Sequence, residues 1–178
     1  MKSSFGLTYV QIDKDTLDIA YNIQKEIFPD DPDYDDLYDK AINSLDDNCF
    51  FIVYFKNDLI GITGVDVYRE YPDTIWLDWF GILPKYRRNG FGEEVLLDTI
   101  EYCKKLNKYK SFRVETTYYE NRPAVFLYDK VMKIKEEYTI EDTKDKKRHT
   151  LIYTYPLIGE VELWNNRYLG LGDYYGNL

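Results

Sequence analysis

The sequence has 178 residues but only two cysteines and one histidine, which leaves few ligands for a metal and few thiols for chemistry. Cys49 and Cys103 lie far apart in apolar surroundings, so we expect both to be reduced thiols that pack as small hydrophobic side chains. His149 has no cysteine or second histidine near it in the sequence. The sequence therefore predicts no zinc or other metal site.

Long apolar runs are also lacking. No stretch approaches the roughly eighteen apolar residues that a membrane-spanning helix needs. The N-terminus, Met-Lys-Ser-Ser-Phe-Gly, has no apolar run and does not resemble a secretory signal. These two absences predict a cytoplasmic protein that has no membrane partner.

Positive charge is scarce, with 23 Lys and Arg residues against 32 Asp and Glu residues and a formal net charge of −9. A nucleic-acid binder needs a basic face to contact phosphates, and the sequence shows none. The acidity therefore excludes nucleic acid as a partner and favours a cationic one.

Aromatic residues, in contrast, are abundant: 19 Tyr, 9 Phe and 3 Trp make up 17% of the chain. So many large side chains can fill a hydrophobic core, which excludes intrinsic disorder. The length suits one domain, and we expect it to span residues 1–158. Residues 159–178 form an aromatic and glycine-rich extension, which we expect to pack on the domain or on a partner subunit, as in a homodimer.

The spacing of apolar residues predicts strands and helices in the order βααβββαβαββ, which is an α+β fold. Asp15 is expected to cap a helix that runs to Phe28, and a second helix is expected over residues 33–45. A strand over residues 74–83 ends at Pro84, and a helix over residues 90–106 follows almost at once.

Residues 84–92, which we call the glycine turn, join that strand to that helix. Gly90 and Gly92 would let an anion approach the backbone amides at the start of the helix. Lys85, Arg87 and Arg88 add positive charge in a chain that is otherwise acidic. The turn therefore favours a diphosphate ligand, although a plain solvated turn would have the same composition.

Two motifs carry a resemblance to a known family. Arg87-Arg88-Asn89-Gly90-Phe91-Gly92 is similar to the Arg/Gln-x-x-Gly-x-Gly/Ala signature of the GNAT superfamily of acetyl-CoA-dependent N-acetyltransferases. Asn121-Arg-Pro-Ala-Val-Phe-Leu-Tyr128 matches the family pattern Asn-x-x-Ala-x-x-x-Tyr. The resemblance covers about residues 8–157. The Gly-Phe that commonly follows the tyrosine in the family is absent, since Asp129-Lys-Val-Met-Lys133 stands there.

The resemblance implies a three-layer α/β/α fold with a central, mixed, mostly antiparallel sheet of six to seven strands. It also implies acetyl-CoA as co-substrate and no metal. The Phe80 amide would polarise the thioester carbonyl, and Ile82 would bind the pantetheine arm. Asn121 would bind pantetheine or cap its own helix. The residues implied in binding the pyrophosphate, through their amides or side chains, are Arg87, Arg88, Asn89, Gly90, Phe91 and Gly92.

Two side chains are implied in the chemistry. Tyr128 matches the family's general acid, because a phenol can protonate a departing thiolate. Asp78 stands where the family often places a carboxylate base. Period-two alternation would put Asp78 on the same side of its strand as Phe80 and Ile82. Its alternative role is to accept a hydrogen bond from a neighbouring loop amide.

The acceptor site is expected where aspartates are concentrated, between Asp30 and Asp47. Asp30, Asp31 and Tyr34 are the residues expected to bind the acceptor, because negative charge and aromatic rings attract a cation. A polyamine, an aminoglycoside or a lysine-rich peptide would fit. The alternative is a solvated run of aspartates that opens a surface helix.

The resulting functional hypothesis is an N-acetyltransferase that moves an acetyl group from acetyl-CoA to a primary amine by direct attack in a ternary complex. Neither cysteine has an activating neighbour in the sequence, which argues against a covalent intermediate. Two alternatives remain open. One is a catalytically idle CoA-binding module with a regulatory or scaffolding role, and the other is an α+β structural protein that binds no CoA.

Overall fold

The computed structural model describes residues 5–43, 47–117, 122–141 and 147–165. Its strands are β1 (Leu7–Gln11), β2 (Cys49–Phe55), β3 (Asp58–Asp66), β4 (Thr74–Ile82), β5 (Ser111–Thr117), β6 (Ile134–Glu141) and β7 (Lys147–Pro156). Its helices are α1 (Leu17–Ile27), α2 (Tyr34–Tyr38), α3 (Phe91–Leu106) and α4 (Arg122–Val131). A π-helical turn, Asp39–Asn43, extends α2, and a 3-10 turn, Pro84–Tyr86, follows β4.

The seven strands form one sheet in the order β1-β2-β3-β4-β5-β7-β6. The pairing of β4 with β5 is parallel, and every other pairing is antiparallel. The predicted α+β class and the mixed, mostly antiparallel sheet are therefore confirmed.

Helices cover both faces of the sheet and make three layers. On one face, Leu17, Ala20 and Ile23 of α1 and Leu37 of α2 pack against β2 and β3. On the other face, α3 and α4 pack against the central strands through the largest core cluster. Cys49 and Cys103 are free thiols buried in this second core, as predicted.

The second predicted helix ends earlier than expected and changes type. Asp33 caps α2 by accepting a hydrogen bond from the Asp36 amide at 2.9 Å. The α-helix stops at Tyr38, and the π-helical turn continues it to Asn43.

The prediction that Asp15 caps α1 is wrong, because Asp13 Oδ1 accepts the amides of Asp15 and Thr16 instead.

Strand β4 contains an irregularity that decides which side chains share a face. Ile62 of β3 lies opposite Gly81, whereas Gly64 lies opposite Asp78, so β4 carries one extra residue between these pairs. This is a β-bulge. Trp79, inside it, has a φ of 41°, in the left-handed region.

The bulge overturns the expected alternation along β4. Phe80 and Ile82 pack on the side of α3, whereas Trp79 packs on the side of α1. Asp78 contacts Lys40 of the π-helical turn and therefore also lies on the α1 side. The expectation that Asp78 shares a face with Phe80 and Ile82 is wrong, because the extra residue shifts the alternation by one.

Strands β4 and β5 separate after a short paired stretch. They pair only at Thr74, Ile75 and Trp76 of β4, although β4 continues to Ile82 and β5 to Thr117. The two strands therefore leave an opening in the centre of the sheet, toward their carboxyl ends. The bulge lies on the edge of this opening.

Residues 159–165 cover the part of the α1-side face that the helices leave open. The Trp164 side chain is fully buried, and its ring centroid lies 5.1 Å from that of Trp76 and 4.9 Å from that of Tyr71. The Trp164 amide donates to Glu136 of β6 at 2.8 Å. Residues 166–178 of the expected extension lie outside the described residues. No helix in the described ranges is long and apolar enough to cross a membrane.

We expect Trp164→Ala to lower the free energy of unfolding by about 3 kcal/mol, because it removes a fully buried indole from an aromatic cluster. Chemical denaturation would measure this loss. Phe126→Ala is the control, since the Phe126 ring is 72% exposed on α4. Equal losses for the two variants would contradict the packing of residues 159–165 on the sheet.

Candidate active site

The glycine turn has the backbone shape that an anion site at the start of α3 requires. Gly90 precedes the first residue of α3 and has a φ of 82°, which disfavours any side chain. A Cβ atom at Gly90 would meet no atom within 4 Å, so the space beside it is open. No side chain caps this end of α3. The amides at the helix start can therefore receive an anionic oxygen.

Two side chains of the glycine turn hold the turn itself. Arg87 Nε donates to the carbonyl oxygen of Ile82 at 2.8 Å. Asn89 Nδ2 donates to the carbonyl oxygens of Tyr86 and Arg87 at 3.2 and 3.1 Å. Arg87 and Asn89 thus tie the turn to the end of β4 and fix its shape.

The remaining predicted residues of the turn divide into buried and exposed ones. The Phe91 ring is buried against Phe55, with the centroids 4.9 Å apart, so Phe91 offers a ligand its backbone only. Lys85 and Arg88 are exposed, as is Arg87. A Cβ at Gly92 would lie 3.6 Å from a methyl group of Leu127, which is an ordinary van der Waals distance, so the packing of α3 against α4 does not require a glycine there.

The opening between β4 and β5 leaves backbone groups of β4 without a neighbouring strand. The Leu83 amide donates to Ile60 of β3 at 2.8 Å. Because amide direction alternates along a strand, we expect the amides of Ile82 and Phe80 to point away from β3 and toward the opening. A ligand lying in the opening could accept both hydrogen bonds.

Tyr128 on α4 borders the same opening from the α3 side. Its ring centroid lies 6.4 Å from that of Phe80 and 5.5 Å from that of Tyr153. Burial raises the pKa of the Tyr128 phenol above its ordinary value, and Tyr153 adds to the effect. The phenol therefore keeps its proton at neutral pH, as a general acid must. The raised pKa also makes the Tyr128 phenol a weaker acid, so it gives up its proton less readily.

Asp78 borders the opening from the α1 side and belongs to an acidic cluster of Asp36, Asp66 and Asp78. These three carboxylates surround the ammonium group of Lys40. Lys40 Nζ lies 2.7 Å from Asp78 Oδ2, 3.1 Å from Asp36 Oδ1 and 3.5 Å from Asp66 Oδ2. Asp78 Oδ1 also accepts the amide of Trp79, the next residue of β4, at 2.8 Å, whereas the alternative role of Asp78 expected the amide of a neighbouring loop.

Other groups fix the acidic cluster in place. Trp79 Nε1, turned to this side by the bulge, donates to Asp36 Oδ2 at 2.7 Å. Asp66 accepts from the side-chain amide of Asn48 and from the Val67 amide. Burial raises the pKa of Asp66, although Lys40 opposes the shift. The pKa of Lys40 is raised in spite of its own burial, because Asp78 and Asp36 stabilise the ammonium.

The residues expected to bind the acceptor lie outside this cluster. Asp30 and Asp31 are exposed on the turn after α1. Tyr34 is exposed as well, and its ring contacts that of Tyr21 at a centroid distance of 5.1 Å. Asp47 pairs with Lys108. Of the aspartates in this segment, Asp36 therefore lies in the acidic cluster with Asp78, whereas Asp30 and Asp31 lie outside it.

Sequence reasoning missed Lys40 and Asp66, and two predicted residues lie outside the described ones. Asp36 and Lys40 are four residues apart, a spacing that predicts an ion pair on a helix. Asp66 gives no comparable signal, because sheet pairing alone brings it near Asp78. Asn121 of the second motif and Asp46 of the aspartate run fall outside the described residues.

The arrangement combines four chemical features around one opening. The turn before α3 has the shape of an anion site, and the amides of Phe80 and Ile82 are expected to face the opening. The Tyr128 phenol lies on one side of the sheet, and the Asp78 carboxylate lies on the other. Among the residues that the structure places, histidines, cysteines and carboxylates form no group of three or more suited to a metal ion. The site is suited to acyl transfer between an anionic donor and a cationic acceptor.

Comparison with known proteins identifies related sequences. Residues 17–133 match the sequence profile described as the acetyltransferase (GNAT) family. A segment of 84 residues is 30% identical to a spermine/spermidine N(1)-acetyltransferase of Bacillus subtilis (strain 168) and covers 44% of this chain and 54% of that protein. The match thus spans about half the length of this relative.

Solved structures share the fold at low sequence identity. The ribosomal-protein-S18-alanine N-acetyltransferase of Escherichia coli superposes with a TM-score of 0.64 at 18% identity, covering 92% of this chain and 99% of that one. The spermidine N-acetyltransferase of Vibrio cholerae, in complex with CoA and spermine, superposes with a TM-score of 0.65 at 17% identity. This second match covers 83% of this chain and 94% of that one.

We expect Gly90→Ala to weaken CoA binding about ten-fold or more, because the new methyl group would shift the turn away from its left-handed geometry. Isothermal titration calorimetry with CoA would measure the change. Gly6→Ala is the matched control, since Gly6 has a φ of 79° and equally open space around it. Both variants should lose about 1 kcal/mol of stability from backbone strain. Equal CoA affinity in the two variants would contradict an anion site at the glycine turn.

Proposed function

The chain belongs to the GNAT family of acetyltransferases, and from this premise we propose that it transfers an acetyl group from acetyl-CoA to the primary amine of a small cationic acceptor. The transfer takes place by direct attack in a ternary complex. The observation that carries the proposal is the opening between β4 and β5, which Tyr128 and Asp78 border from opposite faces.

Binding of the donor follows from the shape of the opening. The glycine turn would bind the pyrophosphate through the amides at the start of α3, with Arg88 and Lys85 close by. The pantetheine arm would lie along β4 and accept a hydrogen bond from the Ile82 amide. The Phe80 amide would then point at the thioester oxygen. An amide so placed is worth about 3 kcal/mol of transition-state stabilisation.

The chemical step needs one proton acceptor and one proton donor. The amine nitrogen attacks the thioester carbonyl carbon, a C–N bond forms, and the C–S bond breaks. An acceptor that binds as an ammonium gives one proton to Asp78 before the attack, and Asp78 later releases it to solvent. Tyr128 gives its proton to the departing CoA sulfur, and the second proton that the nitrogen loses returns through solvent to Tyr128. The products are an acetamide, CoA in its thiol form and one proton, so atoms and charges balance.

A cationic acceptor is supported by the charge on the α1 side of the opening. The three carboxylates of the acidic cluster outnumber the one ammonium group inside it, and the whole chain carries a formal net charge of −9. Such a field attracts cations and raises their association rate. The Bacillus subtilis relative is named for the acceptors spermine and spermidine. We therefore infer that the acceptor class includes aliphatic polyamines.

The first test replaces the proposed acid. Tyr128→Phe should fold normally and bind acetyl-CoA, and its kcat should fall about ten-fold or more, since the thiolate loses its proton donor. Thiol release from acetyl-CoA over a panel of amines would measure turnover. The panel includes spermidine, an aminoglycoside and a lysine-rich peptide.

Tyr153→Phe is the matched control for this test. Tyr153 is also a buried tyrosine, it contacts the Tyr128 ring, and its hydroxyl donates to Asp129 at 2.7 Å. This variant should lose stability with little change in kcat. If Tyr128→Phe turns over its best acceptor as fast as the unmodified enzyme, Tyr128 is not the acid. If the unmodified enzyme binds CoA and acetylates no amine, the proposed function is wrong.

The second test replaces the proposed base. Asp78→Asn should lower kcat by about a hundred-fold near pH 7, because a protonated amine then finds no base. The deficit should narrow as the pH rises toward the pKa of the amine, since free amine becomes available without the enzyme's help. A pH–rate profile from about 6 to 10 would show this convergence. Asp73→Asn is the control, since Asp73 lies on the surface and pairs with Lys110. A deficit that stays constant with pH would argue against a base role for Asp78.

A further inference from the structure

We propose that Lys40 is an internal substitute for the acceptor's ammonium group, and that a cationic acceptor must displace Lys40 from Asp78 before acetyl transfer. This makes Lys40 a specificity-determining residue of the acceptor site. The inference rests on the proposed function, because it assumes that Asp78 serves an amine acceptor.

The contacts of Lys40 are those that an acceptor amine would need. Its ammonium lies 2.7 Å from Asp78 and 3.1 Å from Asp36. A primary ammonium of an acceptor offers the same three N–H donors and the same charge. Only one such group can occupy the position at a time, so the lysine and the acceptor compete for it.

The base is blocked while Lys40 stays in place. Asp78 Oδ2 accepts from Lys40, and Asp78 Oδ1 accepts from the Trp79 amide. Taking a proton from an acceptor requires a carboxylate oxygen that faces the acceptor, and Oδ1 is held by the backbone of its own strand. Oδ2 is therefore the oxygen that displacement of Lys40 makes available.

Lys40 has room and flexibility to leave. Its side chain is 24% exposed, so a path to solvent exists on the α1 side. It projects from the π-helical turn, a rare backbone form that is frequent at functional sites. A flexible chain of four carbons separates the Lys40 ammonium from the backbone. The ammonium can move out without unfolding α2.

Displacement favours cationic acceptors over neutral ones. Without Lys40, the acidic cluster holds three carboxylates, and burial already raises the pKa of Asp66 while Lys40 is present. A neutral acceptor would leave this charge uncompensated, whereas an ammonium restores the balance. Competition also lowers the apparent affinity, which equals the intrinsic affinity multiplied by the fraction of molecules in which Lys40 is already displaced.

The test is Lys40→Met, which keeps much of the aliphatic stem and removes the charge. If Lys40 is displaced in about 10% of molecules or fewer, the variant should lower the KM for spermidine about ten-fold or more, with kcat within about two-fold of the unmodified enzyme. Lys40→Arg, which keeps a cation in the cluster, should leave KM high. Lys105→Met is the control, because Lys105 forms an exposed ion pair with Glu101 on α3. A KM for Lys40→Met that is unchanged or raised, or a kcat that falls with KM unchanged, would overturn the proposal.

A second measurement uses the unmodified protein and does not depend on how the variants fold. The protein is saturated with desulfo-CoA, which has no thiol for the reagent to acetylate, and is treated with a limiting amount of a deuterated N-hydroxysuccinimide acetate, with and without spermidine. Mass spectrometry then gives the labelling of Lys40 relative to Lys105. Displacement should raise this ratio about three-fold or more, since a lysine released from its carboxylates loses a proton more easily. A ratio that stays constant or falls would contradict displacement.

The outcome is distinguishable from failure of the proposed function. Thiol release from acetyl-CoA with spermidine tests the acetyl transfer itself on the unmodified enzyme. The ratio of Lys40 to Lys105 labelling tests displacement in the complex with desulfo-CoA, where no transfer takes place. Turnover without a change in the labelling ratio would reject the role of Lys40 and leave the acetyltransferase proposal intact.

Discussion

The bulge at Trp79 is the constraint on which the rest of the site depends. Strand β4 pairs with β3 along most of its length and with β5 only at its start, so it is the edge of the opening in the sheet. The extra residue turns Asp78 and Trp79 to the α1 side and Phe80 to the α3 side. A left-handed φ at a tryptophan costs about 1–2 kcal/mol. The contacts of the Trp79 indole with Phe28 and Asp36 oppose that cost.

Charge is separated across the same strand. The glycine turn at the end of β4 carries Lys85, Arg87 and Arg88, and the acidic cluster lies on the α1 side of its middle. An anionic donor and a cationic acceptor would each meet the opposite charge and approach the opening from different directions. The net charge of −9 is thus less informative than its distribution. Local fields of opposite sign would steer oppositely charged ligands to different sides of the strand.

The sequence predicted the features that depend on local chemistry. Gly90 was identifiable because a glycine at a helix start signals a positive φ or a close approach of ligand to backbone, and the structure has both the φ and the open space. The order of strands and helices followed from apolar spacing. The second helix was expected from residue 33, and α2 begins at Tyr34 with Asp33 as its cap.

The features that the sequence did not reveal depend on pairing between distant segments. Alternation along β4 assumed an uninterrupted strand, and nothing in Trp76-Leu-Asp-Trp-Phe indicates a bulge, because the residue with positive φ is neither glycine nor asparagine. The contact of Lys40 with Asp66 joins an element before β2 to the end of β3. Only the assembled sheet makes these residues neighbours. The surroundings of Asp78 were therefore predicted less well than the glycine turn, whose residues are continuous in the sequence.

The surplus of aromatic residues also has a consequence for the acidic cluster. Trp76, Tyr71 and Trp164 form an aromatic layer on the α1-side face, and Tyr68 packs against it. Burial and the nearby Asp66 raise the pKa of the Tyr68 phenol, so Tyr68 stays neutral beside the carboxylates. An apolar wall on one flank of a charged cluster lowers the local dielectric constant and strengthens each charge–charge interaction. Because Trp164 comes from the segment after β7, that segment completes the apolar wall. Its packing therefore bears on how strongly the cluster holds Lys40, or an acceptor in its place.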